Sequence, residues 1–127
     1  MNTAVIGLGS NISPQKNIKA AQDILSKEFN VLAESKFTKT KPVGPIKQPD
    51  FLNGAVLIST DLNQQKLKSK LAKIEKKLGR TSLTHHFGPR TIDLDILIFN
   101  GRVVEDDFYE RDFVRKSVLE LLPDLKY

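Results

Sequence analysis

Strand-like runs and amphipathic helical stripes alternate along the 127 residues in the order β-α-β-β-α-β, followed by a tail. That order predicts an α+β fold, the ferredoxin-like βαββαβ sandwich. It has one antiparallel sheet, two helices on one face and a short C-terminal helix. Three observations carry it: the opening apolar run TAVIGLG, two helical stripes spaced by three and four residues, and the run TIDLDILIF ending at Asn100-Gly101.

Thr3 to Gly9 reads as a buried strand. Ser13-Pro14 opens a helix: the serine side chain is expected to accept from orphan N–H groups, and proline at the first helical position loses nothing. Ile18, Ala21 and Leu25 form its apolar stripe. Val31 to Thr38 reads as the second strand. Lys41-Pro42-Val43-Gly44-Pro45 fits neither regular structure, so residues 40–50 form a loop. Asn53 to Thr60 is the third strand. Asn63 caps a second helix bearing Leu67, Leu71, Ile74 and Leu78, with Gly79 as its stop. Residues 80–89 are a polar loop. Thr91 to Phe99 is the fourth strand, Asn100-Gly101 a hairpin turn, and Arg111 to Leu122 a short helix. No repeat or linker interrupts the pattern, so residues 1–127 are expected as a single domain. The sheet face away from the two helices is covered by loops and the tail, or left as a binding surface.

Composition narrows the function. With no cysteine, the chain holds no disulfide framework, thiolate metal site or cysteine nucleophile. No run approaches the roughly 18 apolar residues of a membrane span, and no basic-then-apolar leader opens the chain, so a mature cytoplasmic protein without a membrane partner is expected. The net charge of +5 invites a polyanion. It is unevenly placed. Residues 61–90 carry eight Lys/Arg against two acids, and residues 104–124 carry seven acids against three Lys/Arg.

Alternation along the fourth strand puts Asp93 and Asp95 on one face, about 7 Å apart, and Ile92, Leu94 and Ile96 on the other. Two carboxylates on one face repel unless neutralised, and a magnesium ion that keeps some of its waters suits them. A half-exposed strand with two solvated acids fits the same pattern. Arg90, in a loop fixed by Pro89, and Arg80, after the helix stop, would complete a phosphate site beside such a metal. Glu75 on the second helix could accept from a ribose hydroxyl or stand solvated. The prolines of residues 40–50 pre-set a loop that can aim backbone groups at a ligand. Asn53 offers a donor and an acceptor to a heterocycle edge, and Phe51 and Phe113 could stack on a flat ring or belong to the core. Gly7-Leu8-Gly9-Ser10-Asn11 lacks both the dinucleotide and the P-loop fingerprints and reads as a tight strand exit. His85-His86 read as solvated loop residues within reach of phosphate.

Taken in order, these segments resemble the 6-hydroxymethyl-7,8-dihydropterin pyrophosphokinases of folate biosynthesis. The matching pieces are Gly9-Ser10-Asn11, Thr40 with Pro42-Val43-Gly44-Pro45, Gln48-Pro49-Asp50-Phe51-Leu52-Asn53, Ile74-Glu75 with Gly79-Arg80, and Gly88-Pro89-Arg90-Thr91-Ile92-Asp93-Leu94-Asp95. Arg111-Asp112-Phe113-Val114 and Leu122-Pro123-Asp124-Leu125 follow. The resemblance implies a monomeric transferase that moves the β,γ-pyrophosphoryl group of ATP to the hydroxymethyl oxygen of a reduced pterin and releases AMP. It implies two magnesium ions on Asp93 and Asp95. Glu75 would take the ribose side of ATP, and Arg80, Arg90 and Arg111 the phosphates. Asn53 and the backbone from Thr40 through Pro42, Val43 and Gly44 would read the pterin edge, with Phe51 and Phe113 sandwiching its ring. Departures from the family pattern cluster late. The expected Pro-His segment before Arg111 is replaced by the acidic stretch from Val103 to Glu110. Ser82, Phe87 and the segment Arg115 to Val118 also differ, and the chain ends early. The alternatives are a homologue that binds pterin or nucleotide with little or no turnover, and one that acts on a modified pterin in another pathway. A nucleic-acid module is disfavoured, because no strand carries the aromatic RNA-recognition pattern.

Overall fold

The computed structural model describes residues 1–79 and 91–127. Its elements are β1 (Asn2–Ser10), α1 (Pro14–Glu28), β2 (Asn30–Glu34), β3 (Thr38–Thr40), β4 (Phe51–Thr60), α2 (Gln64–Lys77), β5 (Asp93–Phe99), β6 (Arg102–Val103), α3 (Asp107–Glu110) and α4 (Asp112–Leu121). All strand pairings are antiparallel, in the order β2-β4-β1-β5-β6, with β3 also on β4. The α+β ferredoxin-like expectation holds, with four helices among the described residues instead of three.

The alternation of β1 divides two cores. Ala4, Ile6 and Leu8 face Ile18, Ala21 and Leu25 of α1 and Leu67, Leu71 and Ile74 of α2. Each fully buried leucine or isoleucine here contributes about 1.5–3 kcal/mol. Val5 faces the other side, where Ala55, Leu97, Ile98 and Val118 form a second core bordered by Val114, Leu121 and Leu122. The tail therefore covers the second face as a helix. A register shift of β5 against β1, between Val5 and Ile6, turns both Leu97 and Ile98 toward α4. Phe108 of α3 is fully buried, with its ring 4.9 Å from that of Tyr127.

Several boundaries differ from expectation for local reasons. The strand expected over Val31 to Thr38 is broken into β2 and β3. At the break the Ser35 hydroxyl accepts from the Ala55 N–H at 2.8 Å, in place of a backbone carbonyl, and the Phe37 ring lies over Gly54. A Cβ at Gly54 would stand 2.5 Å from that ring, so the break needs glycine opposite it. The third strand starts at Phe51, two residues early, because β3 pairs with Phe51, Leu52 and Asn53. Ser13 does not cap α1 through its side chain. It sits at φ +41°, and its carbonyl accepts from Asn17 instead. Asn63 does cap α2, accepting from the Lys66 N–H at 2.9 Å. Gly79 closes that helix at φ +106°, a conformation that favours glycine. Asn100 and Gly101, both at positive φ, make the expected two-residue hairpin. The one-turn helix α3 has no periodic signal that sequence reasoning could use.

Candidate active site

The sheet order brings the sequence candidates together. On the α4 side, Asn53 of β4, Gly9 and Gly7 of β1, and Asp93 and Asp95 of β5 lie side by side, because Gly9 pairs with both Asn53 and Asp93 while Gly7 pairs with Asp95. Both glycines form part of the floor: neighbours close over them, the Leu97 side chain 3.0 Å from where a Cβ of Gly7 would stand and Asn53 Oδ1 2.6 Å from that of Gly9. A cleft of about 630 Å³ runs over this floor. Thr40, Val43, Phe51, Asn53 and Phe113 line it, as do Asp93, Asp95, Glu75 and Arg111. Pro42 and Gly44 flank Val43 without lining the cleft, and Gly44 adopts φ +102°. Arg80, Arg90, His85, His86, Ser82 and Phe87 lie outside the described residues.

The amide end is built by local bonds. Asn53 donates from Nδ2 to the Thr40 hydroxyl of β3, while its Oδ1 lies over Gly9. Asn11 is almost fully buried and donates to Gln48 Oε1 at 2.8 Å and to the Pro49 carbonyl at 3.0 Å. The Gly-Ser-Asn strand exit thus clamps the far end of the proline loop.

The carboxylate end is strongly acidic. Glu75 Oε2 accepts from the Leu94 N–H at 2.7 Å, which fastens α2 to β5 between the two aspartates. Burial, followed by the charges of Asp93, Glu105, Glu75 and Asp107, pushes Asp95 up to about 7. Among the described residues no group of three His, Asp or Glu side chains converges to hold a metal. Two carboxylate oxygens are the donor type a hard divalent cation such as magnesium takes when water and phosphate supply its other ligands. Several lining residues were not singled out from sequence. Gly7 was missed as floor. Gln64 and Lys68 lie eleven and seven residues before Glu75, one helical face whose spacing could have revealed them. Glu105, Asp107 and Ser117 join through the tail, for which no local signal exists.

The metal-free protein tests the Asp95 environment. The folded-state value lies above the ordinary 3.8, so folding favours the protonated acid. Its contribution is complete below pH 4 and is lost as pH rises toward 7. Relative to Asp95→Asn, the wild-type chain should lose stability on the order of a few kcal/mol over that range. Urea denaturation of both proteins without divalent cation checks this, and parallel pH curves would refute it.

Known proteins resemble this chain over nearly its whole length. A family model described as 7,8-dihydro-6-hydroxymethylpterin-pyrophosphokinase matches residues 5–123. The 2-amino-4-hydroxy-6-hydroxymethyldihydropteridine pyrophosphokinase of Haemophilus influenzae is 37% identical, across 98% of this chain and 84% of that protein. The Bacillus subtilis protein of the same name is 39% identical, across 94% of this chain and 78% of that protein. The bifunctional protein FolKE of Lactococcus lactis subsp. cremoris is 35% identical, across all of this chain and 40% of that protein. With the cleft, the aspartate pair and near-complete coverage in agreement, the chain belongs to the 7,8-dihydro-6-hydroxymethylpterin-pyrophosphokinase family, whose members transfer pyrophosphate from ATP to a hydroxymethyldihydropterin in folate synthesis.

Proposed function

We propose that this cleft performs the transfer with the pterin over the Gly9 floor and ATP along Asp93, Asp95 and α2. The observation that carries the reading is the single cleft that joins the Asn53 amide to the aspartate pair. In it Asn53 and the backbone at Thr40 and Val43 read the pterin edge, with Pro42 and Gly44 shaping the loop on either side of Val43. Phe51 and Phe113 hold its ring and exclude water from the hydroxymethyl group. Glu75 serves the ribose side, and Arg80, Arg90 and Arg111 bind phosphates.

Asp93 and Asp95 hold two magnesium ions, which supply charge neutralisation for the phosphate oxygens. The protein's own contribution is positioning. The hydroxymethyl oxygen must lie in line with the β-phosphorus and the departing AMP oxygen, and such transfers need geometry and electrostatics more than covalent chemistry. A short bond network, from Asn11 through the proline loop and from Asn53 to Thr40, fixes the acceptor end before ATP arrives. Residues 1–127 act in this reading as one cytoplasmic domain, monomeric, with no nucleic-acid or membrane partner.

Incubation with ATP, magnesium and 6-hydroxymethyl-7,8-dihydropterin should release AMP and pterin diphosphate in equal amounts. Release of ADP would refute pyrophosphoryl transfer. Pterin binding without AMP would favour a homologue that binds without turnover, and AMP release only with a modified pterin would move the chain to another pathway.

A further inference from the structure

Arg111 stands at the junction of α3 and α4, and its backbone is held on both sides. Its N–H donates to the Asp107 carbonyl at 2.9 Å, and its carbonyl accepts from Val114 and Arg115 at 3.2 Å. The side chain repeats the link: Nε lies 3.5 Å from Oδ1 of Asp107, one turn earlier. Both side chains line the cleft, and they are only 34% and 28% exposed. Asp107 is itself anchored, because the next residue, Phe108, is fully buried.

We propose that Asp107 is a positioning residue for the transfer: its carboxylate holds the Arg111 guanidinium from the Nε side and turns the two Nη groups toward the phosphate chain. The proposal rests on the reading of Arg111 as a phosphate-binding residue. An arginine side chain has many rotamers, and freezing them on binding ATP costs affinity. A carboxylate that engages Nε alone restricts those rotamers beforehand. A contact made through Nε would leave the Nη pair, the part of the fork that can meet two phosphate oxygens, available to the phosphate chain. At 3.5 Å the contact is longer than an ordinary charged hydrogen bond, so Asp107 orients by charge and can yield as phosphate closes in. Asp107 also adds to the negative field at Asp95, so its variants have a second route of action that the experiment must separate.

A double-mutant cycle does so, with kcat and KM for both substrates and the Tm of each protein. Asp107→Asn should lower kcat/KM for ATP by about tenfold, with the pterin KM and the Tm unchanged. Asp107→Glu, which keeps the charge, should restore part of the loss. In an Arg111→Ala background Asp107→Asn should change nothing further. The same tenfold loss in that background would overturn the proposal in favour of action through Asp95. Full activity of Asp107→Asn beside a damaged Arg111→Ala would overturn it as well. An Arg111→Ala protein with unaltered ATP kinetics would instead refute the phosphate reading of Arg111, and the proposal with it.

Discussion

Asp95→Ala should lower turnover by about 10³-fold or more at saturating ATP and magnesium, while the protein stays folded. The aspartate stands on β5 opposite Gly7 and lines the cleft. Four other carboxylates raise its proton affinity. Any ATP entering this region adds more negative charge, and on the proposed reading a metal held by Asp95 would make its presence tolerable. Without that ligand the phosphates lose both neutralisation and alignment. Stability should move the other way, because a half-buried carboxylate that is costly to ionise is removed. The check is kcat from an AMP-release assay beside a urea denaturation curve. Near-normal turnover would exclude Asp95 as a metal ligand, whereas loss of turnover with loss of fold would leave Asp95→Asn as the deciding variant.

The second large effect is expected from a single methyl group. Gly9→Ala places a Cβ 2.6 Å from the Oδ1 of Asn53, well inside contact distance. Backbone pairing on both sides prevents β1 from retreating, since Gly9 is matched to Asn53 and to Asp93. The Asn53 amide must therefore rotate and break its bond to Thr40. The pterin then loses an oriented partner and part of its floor together. Its KM should rise by about 10- to 100-fold with ATP affinity unchanged. Asn53→Ala offers the milder comparison, with about 1–3 kcal/mol lost from pterin binding. If fluorescence titration gave Gly9→Ala wild-type pterin affinity, the pterin end of the cleft would have to lie elsewhere.

Much of this arrangement is legible along the chain because it depends on short-range rules. Period-two alternation places Asp93 and Asp95 on one face and Leu94 on the other whatever the partner strand. The Asn63 cap, the stripe Leu67, Leu71 and Ile74, the Gly79 stop and the Asn100-Gly101 turn are likewise decided within a few residues. The splitting of the second strand is not, since it depends on Gly54 and Phe37 meeting across seventeen residues. Ser13 shows the limit from the other side: its residue type suits a cap, yet the turn after Asn11 sets its backbone at positive φ. The roles of Glu105, Asp107 and Ser117 were equally hidden, because α4 reaches the site only by packing on Val5, Ala55 and Leu97.

By itself, then, the sequence determined the element order, the faces of each strand and helix and the chemistry available, because propensity, periodicity and turn geometry act locally. Its family motifs named the aspartates, the asparagine and the aromatic pair. Only the tertiary structure decided which backbone stands under them. Gly7 and Gly9 became a floor, Asn11 a clamp on the proline loop, and Asp107 a partner for Arg111, because strand register and helix docking join residues that lie far apart along the chain or carry no periodic signal.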